Sequence, residues 1–379
     1  VMVYQEDVLK VAHYFAGLTL EEADILRRGM SWKFRERNEF HRVKQRFFEN
    51  CKERGYADAI TAELWRQIES FANYAFAKGH SASYAVESYQ SLYLKAHFPR
   101  EYMVATINNG GGFYRPEIYI HEARMHGARI EAPCVNHSRV ETRITGKVIW
   151  LGFHLLKSLE MKVAEAIVKE RERGGPFSGL SDFLDRVAVS LDQLILLIRI
   201  GAFRHSGKSK KELLWKAHFL LGKSRHSQPG PQLFRSQRKE AVLPPLESGP
   251  FDDAYDETEL LGFPLGSPFA LIANRPAEVL PALEMARHIG ENVKMLGYLV
   301  HVKNVATRQN TPRHMQFGCF IDEAGHFIDT VHFPPVAARW PFRGRGVYLL
   351  EGRVLSDYDA LSLEVRKMEK MEMVNMVEV

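Results

Sequence analysis

The chain has 379 residues, 45% of them hydrophobic and 26% charged, with a formal net charge of +5. That length exceeds one ordinary core and predicts roughly two to four compact units. The sequence has no run of about 18 apolar residues, which excludes a membrane-spanning helix and with it a membrane partner. The three cysteines, Cys51, Cys134 and Cys319, form neither a CxxC pair nor an even disulfide set, which fits a reducing cytoplasm.

The N-terminus, "VMVYQEDVLKVAHYF", has two early acids, no cleavable signal pattern and no initiating Met. It predicts a chain cut from something longer. Residues 1–130 read as almost wholly helical. In "TLEEADILRRGM", Thr19 and Glu22 form a capping-box start. Leu20, Ala23, Leu26 and Met30 follow at helical spacing. Arg27 to Arg54 is rich in arginine and lysine, but interspersed Glu36, Glu39, Glu49 and Glu53 make part of it a solvated helix face. "TAELWRQIESFANYAF" predicts a helix capped by Thr61, with Leu64, Ile68 and Phe71 on one face. An aromatic-rich helix from Ser83 to His97 ends before Pro99. Asn108-Asn109-Gly110-Gly111-Gly112 is a break, and Tyr114–Gly127 is one more helix.

Residues 131–222 form a second unit, with a short strand at Val148–Phe153. Helices follow near Met161–Arg173, Leu180–Ala188 and Leu191–Ile200. A further basic cluster holds Arg204, Lys208, Lys210 and Lys211. Residues 223–289 begin with a Pro-, Ser-, Gln- and basic-rich linker and continue into the acidic helical segment "FDDAYDETELLGF". Residues 290–379 switch to alternating short strands, with a hairpin turn at Glu323-Ala324-Gly325. About five strands predict a small all-β barrel of the OB type. The fold class is therefore multidomain, mainly α, followed by that barrel.

Two polar stretches carry alternative readings. Lys78-Gly79-His80-Ser81 opens a helix. Its free N–H groups, the positive helix end, Lys78 and His80 can hold a phosphate, and Tyr84 and Tyr89 can support a base or sugar. The plainer account is a hydroxyl cap on a packed helix. Arg27-Arg28 satisfies helix C-terminal carbonyls in the plain account, or clamps a triphosphate through the guanidinium fork.

Together, "YQEDVLKVAHYFAGLTLEEADILRRGM" and "FANYAFAKGHSASYAVESYQSLYLKAHFPREYM" resemble the fingers region of the bacterial C-family replicative polymerases, the DNA polymerase III alpha subunit family. The family pattern is YQEQ, then ADxLRRAM, then GFNKSHSxAYxxxSYQxxxLKxxxPxEFM. Ala77 and Gly79 depart from its asparagine and serine, and Gly29 stands where alanine is usual. The resemblance implies that Arg27, Arg28, Lys78, His80 and Ser81 lie near the incoming nucleotide. It also divides the chain into a fingers domain over 1–130, a tandem helix-hairpin-helix region over 131–222, a linker and acidic segment over 223–289, and an OB domain over 290–379.

"WLGFHLLKSLEMKVAEAIVKERERGGPFSGLSDFLDRV" is similar to the family's GLxxIKGVGxxxxxxIxxxRxxxGPFxSLxDFxxRV. Where the family has a Gly-x-Gly hairpin that brings N–H groups to a DNA phosphate, this chain has Lys157-Ser158-Leu159-Glu160. Weakened duplex grip is expected there, with Lys157 as the remaining DNA contact. "ETELLGFPLGSPF" resembles ExExLGFxLSxHP, with Ser267 replacing histidine. In the barrel, Lys303, Arg308, Arg313, His314 and Phe317 are candidates for single-stranded DNA, or for a merely hydrated hairpin loop. In the linker, Leu233 and Phe234 of "PGPQLF" resemble a sliding-clamp peptide, although Gln228 and Gln232 stand out of register.

The family's metal-holding carboxylates are not matched. Asp252-Asp253 and Asp357-Tyr358-Asp359 read as surface turns. The catalytic palm, with its Mg2+, is expected before Val1, so this chain alone is predicted inactive. The resemblance implies template-dependent DNA synthesis in replication or repair by the intact protein, of replicative or error-prone type. The implied partners are primer-template DNA, single-stranded DNA, deoxynucleoside triphosphates and a sliding clamp. The alternatives are a non-enzymatic DNA- and clamp-binding module, or a helical scaffold with decayed DNA contacts.

Overall fold

The computed structural model describes residues 2–29, 38–71, 77–221, 249–306 and 314–374. The chain divides into two compact units, Val1–His97 and Phe98–Val379. Among the described residues no helix is long and apolar enough to cross a membrane.

The first unit is helical. Helix α1, Gln5–Lys10, runs into a five-residue π turn, Val11–Phe15. Helix α2, Leu20–Gly29, opens with the expected capping box. There the Thr19 N–H donates to Glu22 Oε2 at 2.9 Å, and the Glu22 N–H donates to Thr19 Oγ1 at 3.2 Å. Helices α3, Asn38–Glu53, and α4, Asp58–Phe71, follow. Val8, Ala12, Leu18, Leu26, Phe47, Cys51, Trp65 and Ile68 form the core, with Phe47 edge-on to Trp65 at 5.3 Å. Gly29 is required here, because a Cβ would stand 2.1 Å from the Phe40 ring. Thr61 does not cap α4. The helix starts at Asp58, and the buried Thr61 hydroxyl bonds back to the Ala57 carbonyl at 3.4 Å.

Helix α5 spans Lys78–His97, beginning five residues before the expected Ser83. It buries no residue: Tyr84 is 65% and Tyr89 76% exposed. Its aromatics therefore form a surface and not the core that their hydrophobicity suggested.

In the second unit, helix α6, Pro99–Asn108, and helix α7, Pro116–Met125, each begin on a proline at N1, where no N–H is needed. The Asn108 amide joins α6 to the chain ahead of the sheet, bonding both the N–H and the carbonyl of Thr142 at 2.9 and 2.8 Å. A three-stranded sheet follows, β1 (Arg129–Glu131), β2 (Arg143–Thr145) and β3 (Val148–Trp150). Here β3 is central, parallel to β1 and antiparallel to β2. Helices α8 (Met161–Gly174), α9 (Leu180–Arg186), α10 (Leu191–Arg199) and α11 (Lys210–Leu221) surround a core that includes Ile149, Ile167, Phe183, Leu197 and Phe203. The acidic segment forms helix α12, Asp252–Leu260.

Five strands close the C-terminal barrel: β4 (Asn292–Ala306), β5 (His314–Ile321), β6 (Phe327–His332), β7 (Val347–Asp357) and β8 (Ala360–Lys370). Their order is β4-β5-β6-β8-β7, with β4 pairing β7 and β6 running parallel to β8. Helix α13, Pro334–Arg339, lies between β6 and β7. This is the expected OB architecture. Tyr358 and Asp359 take positive φ values of 47° and 64° in the β7–β8 turn, the backbone a two-residue hairpin demands.

Candidate nucleic-acid interface

In the first unit, α1 joins the two stretches singled out in the sequence. Gln5 Oε1 accepts from Arg27 Nη1 at 3.3 Å. Its neighbour Glu6 accepts the Lys78 N–H at 2.9 and 3.1 Å. Arg27 and Arg28 also share Asp24, donating from Nε at 2.8 and 2.7 Å. The Arg27 guanidinium, seconded by Arg28, holds the Asp24 carboxyl below the usual range. The Lys78 amide does the same for Glu6, helped by the Arg27 charge. The Arg27 side chain and the Lys78 amide thus meet consecutive residues of α1, and Asp24 and Glu6 already accept from the two arginine Nε groups and from that amide. Ser81 does not point its hydroxyl outward as a donor; it bonds the Ala77 carbonyl at 2.9 Å. His80 is exposed and stacks over Tyr84 at 6.3 Å. A Cβ at Gly79 would meet nothing within 4 Å, and nothing in the structure explains that departure from serine.

In the second unit, the hairpin before α8 keeps its shape without glycine. Ser158 has φ 64°, a left-handed backbone that glycine adopts freely and serine at a cost. The loop is locked from 33 and 35 residues away by Gln193 on α10. Gln193 Oε1 accepts the Glu160 N–H at 2.7 Å, and Nε2 donates to the Ser158 carbonyl at 2.9 Å. The Lys157 N–H is bonded to the Leu260 carbonyl at 2.9 Å. The Lys157 and Glu160 amides of the hairpin are therefore already partnered within the chain. The Lys157 side chain remains exposed beside Gly262.

Of the basic cluster, Lys210 and Lys211 on α11 pair with α12, as does Arg199 of α10, while Arg204 pairs with Glu131 and Lys208 with Glu212. Arg199 pairs with Asp256 at 2.7 Å and Glu259 at 2.5 Å. Lys210 pairs with Asp253 at 2.6 Å and Asp256 at 3.1 Å, and Lys211 with Asp252 at 3.6 Å. The Asp252-Asp253 pair is thus committed to lysines. Among the described residues no group of three or more His, Cys, Asp or Glu side chains can hold a metal ion.

On the barrel, Lys303 of β4 lies directly opposite Phe317 of β5, so both side chains leave the same face. Lys303 is exposed and Phe317 is 40% exposed. His301 shares that face, and Phe113 meets its ring at 5.0 Å. Phe113 is 75% exposed; sequence reasoning missed it, though an aromatic pair directly after three glycines was a usable signal. His314 falls on the opposite face of β5 by alternation, beside Gln316, Pro334 and Ala338. Arg308, Arg313, Leu233 and Phe234 lie outside the described residues. The barrel is fastened to α7 by Arg115 Nη2 on the Leu299 carbonyl at 3.3 Å, Tyr298 on Glu117 at 3.3 Å, and His121 on the Gly325 carbonyl at 3.0 Å.

Residues 1–55 match the bacterial DNA polymerase III alpha subunit finger domain, and residues 127–213 match a helix-hairpin-helix motif. The chain is 36% identical to the DNA polymerase III subunit alpha of Thermus aquaticus over 66% of its length and 21% of that protein. It is 29% identical to the corresponding protein of Borreliella burgdorferi over 98% of its length and 34% of that protein. It is 30% identical to the error-prone DNA polymerase of Mycobacterium tuberculosis over 89% of its length and 31% of that protein. The chain thus spans between a fifth and about a third of the curated relatives it matches. The resemblance read from the fingers motifs is borne out over most of the chain.

Proposed function

We propose that this relative of the bacterial DNA polymerase III alpha subunits and error-prone DNA polymerases is the fingers-to-barrel portion of a DNA-directed DNA polymerase, working in the bacterial cytoplasm in replication or repair. In this reading residues 1–130 are the fingers, 131–222 the helix-hairpin-helix region, 223–289 the linker and acidic cover, and 290–379 the OB domain. The observation that carries it is the meeting of Arg27 and the start of α5 on consecutive residues of α1, with Arg28 joined to Arg27 through Asp24. Arg27, Arg28, Lys78 and His80 bind the triphosphate of the incoming deoxynucleotide, with the Ser81 hydroxyl reserved for the helix start. Lys303 and Phe317 meet single-stranded template, and Lys157 the duplex. Leu233 and Phe234 are the clamp contact.

Phosphoryl transfer needs carboxylate-held Mg2+. Among the described residues the paired carboxylates singled out in the sequence do not fit that role. Asp252 and Asp253 are paired with lysines, Asp357 ends β7 and Asp359 lies in the hairpin turn that follows. The metal would be held by a palm outside this chain, and the residues present bind and orient. The test is primer extension by this polypeptide with Mg2+ and deoxynucleotides, beside equilibrium binding of labelled DNA across a salt series. The expected result is no extension, with binding that falls steeply as salt rises and weakens on Lys303→Ala and Phe317→Ala. Extension by this chain alone overturns the division of labour; salt-independent or absent DNA binding overturns the reading itself.

A further inference from the structure

We propose that the small sheet β1-β3-β2 carries a single-stranded nucleic-acid subsite, in which a base stacks on the surface His137–Trp150 pair and flanking phosphates sit on Arg139 and Arg143. The site uses none of the α1–α5 cations and none of the barrel-face residues, and it does not depend on the polymerase reading.

The geometry is that of a stacking platform. The His137 imidazole lies on the Trp150 indole with centroids 4.3 Å apart and planes within 19°. Trp150 is central in the sheet, with Arg143 of β2 and Glu131 of β1 as its register partners. The Arg204 guanidinium stands 5.4 Å from the indole centroid, a cation–π contact. His137 is exposed, so its ring is the wet end of the stack.

The arginines around the platform fall into two groups. Arg204 spends its donors on the carbonyls of Pro133, Gly201 and Ala132 and on Glu131. Arg171 is tied to the carbonyls of Val135 and Ser138 at 2.8 and 2.7 Å. Carbonyl partners leave the Arg171 charge uncancelled, so it acts as a fixed positive charge, whereas Arg204 is partly neutralised by Glu131. Arg139 and Arg143 are held more loosely. Arg139 is 59% exposed and 3.5 Å from Glu172, and Arg143 donates to Thr145 Oγ1 at 3.3 Å. Their remaining donors suit phosphate oxygens. The carboxylates of the patch, Glu131 and Glu172, are each already paired with arginine.

Partial burial, followed by the charges of Arg204, Arg143 and Arg171, holds the His137 imidazolium below its ordinary range. At neutral pH the ring is therefore an uncharged aromatic face. Base-on-aromatic stacking beside arginines is how sequence-tolerant single-strand binders work. A duplex keeps its base faces stacked on one another and cannot use such a platform.

The test is photo-crosslinking of a 5-iodouracil-substituted oligothymidylate to the 379-residue chain, mapped by mass spectrometry. Crosslinks are expected on the peptide holding His137 and Trp150. They should fall about tenfold in His137→Ala, as loss of one stacking contact implies, and fall in Arg143→Ala as well. Both changes are at the surface and leave the core intact. Excess inorganic polyphosphate should compete poorly in low-micromolar amounts. Crosslinks confined to the barrel strands overturn the proposal while leaving the proposed function standing. Crosslinks at this peptide that persist in both variants, or that polyphosphate removes as readily in His137→Ala as in the parent chain, reduce it to nonspecific charge and overturn it equally.

Discussion

Glu6 holds the backbone N–H of Lys78 between its two carboxylate oxygens, at 2.9 and 3.1 Å, across 72 positions of sequence. The amide belongs to the first residue of α5, where the positive helix end favours an anion. A carboxylate of the chain therefore stands in the place of an anionic ligand.

Removing that carboxylate should make the helix start a better anion site. Glu6→Ala is expected to tighten binding of inorganic triphosphate, measured by calorimetric titration at low salt. The Lys78 amide lowers the Glu6 carboxyl, so the contact is fully present above the usual carboxylate range and is lost as pH falls through the lowered value. The parent chain should accordingly approach the variant's affinity on acidification. Weaker triphosphate binding in Glu6→Ala would mean that Glu6 organises the site and does not compete for it.

The Gln193 lock should be worth more than one ordinary hydrogen bond. Gln193→Ala strands the Glu160 N–H and the Ser158 carbonyl, and about 1–3 kcal/mol of stability should be lost on urea unfolding. Ser158→Gly acts in the other direction. Relief of the left-handed serine should outweigh the added unfolded-state freedom and stabilise the chain by about 0.5–1 kcal/mol. If Ser158→Gly destabilises, the turn is held by contacts of the serine side chain.

Arg199 ties α10 to α12 through Asp256 and Glu259, and these acids drive its own affinity for the proton upward. Arg199→Ala should cost about 1 kcal/mol, since the network is partly exposed. It should also release α12, detected as faster amide hydrogen exchange over Asp252–Leu260 than over α10. Equal exchange in both helices before and after the change would show that α12 is held by its apolar contacts.

His332 should make the barrel acid-sensitive. The Thr330 hydroxyl gives its proton to the Gly318 carbonyl, so it accepts from His332 Nε2–H at 2.9 Å. That leaves Nδ1 buried without a partner. Burial pushes this imidazole from 6.5 down to about 4. The unfolded chain then takes up the proton first. Stability from this group is complete above about pH 6.5 and is lost as pH falls toward 4, at up to about 1.4 kcal/mol per pH unit. His332→Gln should flatten that slope in thermal melts taken from pH 7 to 4.5; an unchanged slope assigns acid sensitivity elsewhere.

Local chemistry was legible in the sequence, and long-range chemistry was not. The Thr19–Glu22 cap, the turn at Glu323–Gly325 and the strand alternation of the barrel depend on neighbours a few positions apart. Thr61 misled because its residue type favours a cap while its buried place inside α4 was set by packing against the core. Tyr84 and Tyr89 carried two readings, a packed helix or a surface for a base, and only the fold showed that they are exposed. The locks by Glu6 and Gln193 join positions far apart in sequence, and no residue pattern announces which amide a glutamine will reach. Lys303 and Phe317 were named separately as candidates; their pairing came from strand register.

The barrel closes by pairing its first strand with its fourth, Asn292 against Arg353, while the β7–β8 hairpin joins at a two-residue turn. Such hairpins form in microseconds from neighbouring residues, whereas closing the long loop must wait until its entropy is offset. The last step of folding should therefore be the β4–β7 seam, with its rate set by chain topology and not by side-chain chemistry. Until that seam shuts, the edges of β4 and β7 are open backbone, and crowded folding intermediates of this chain would pair there with one another.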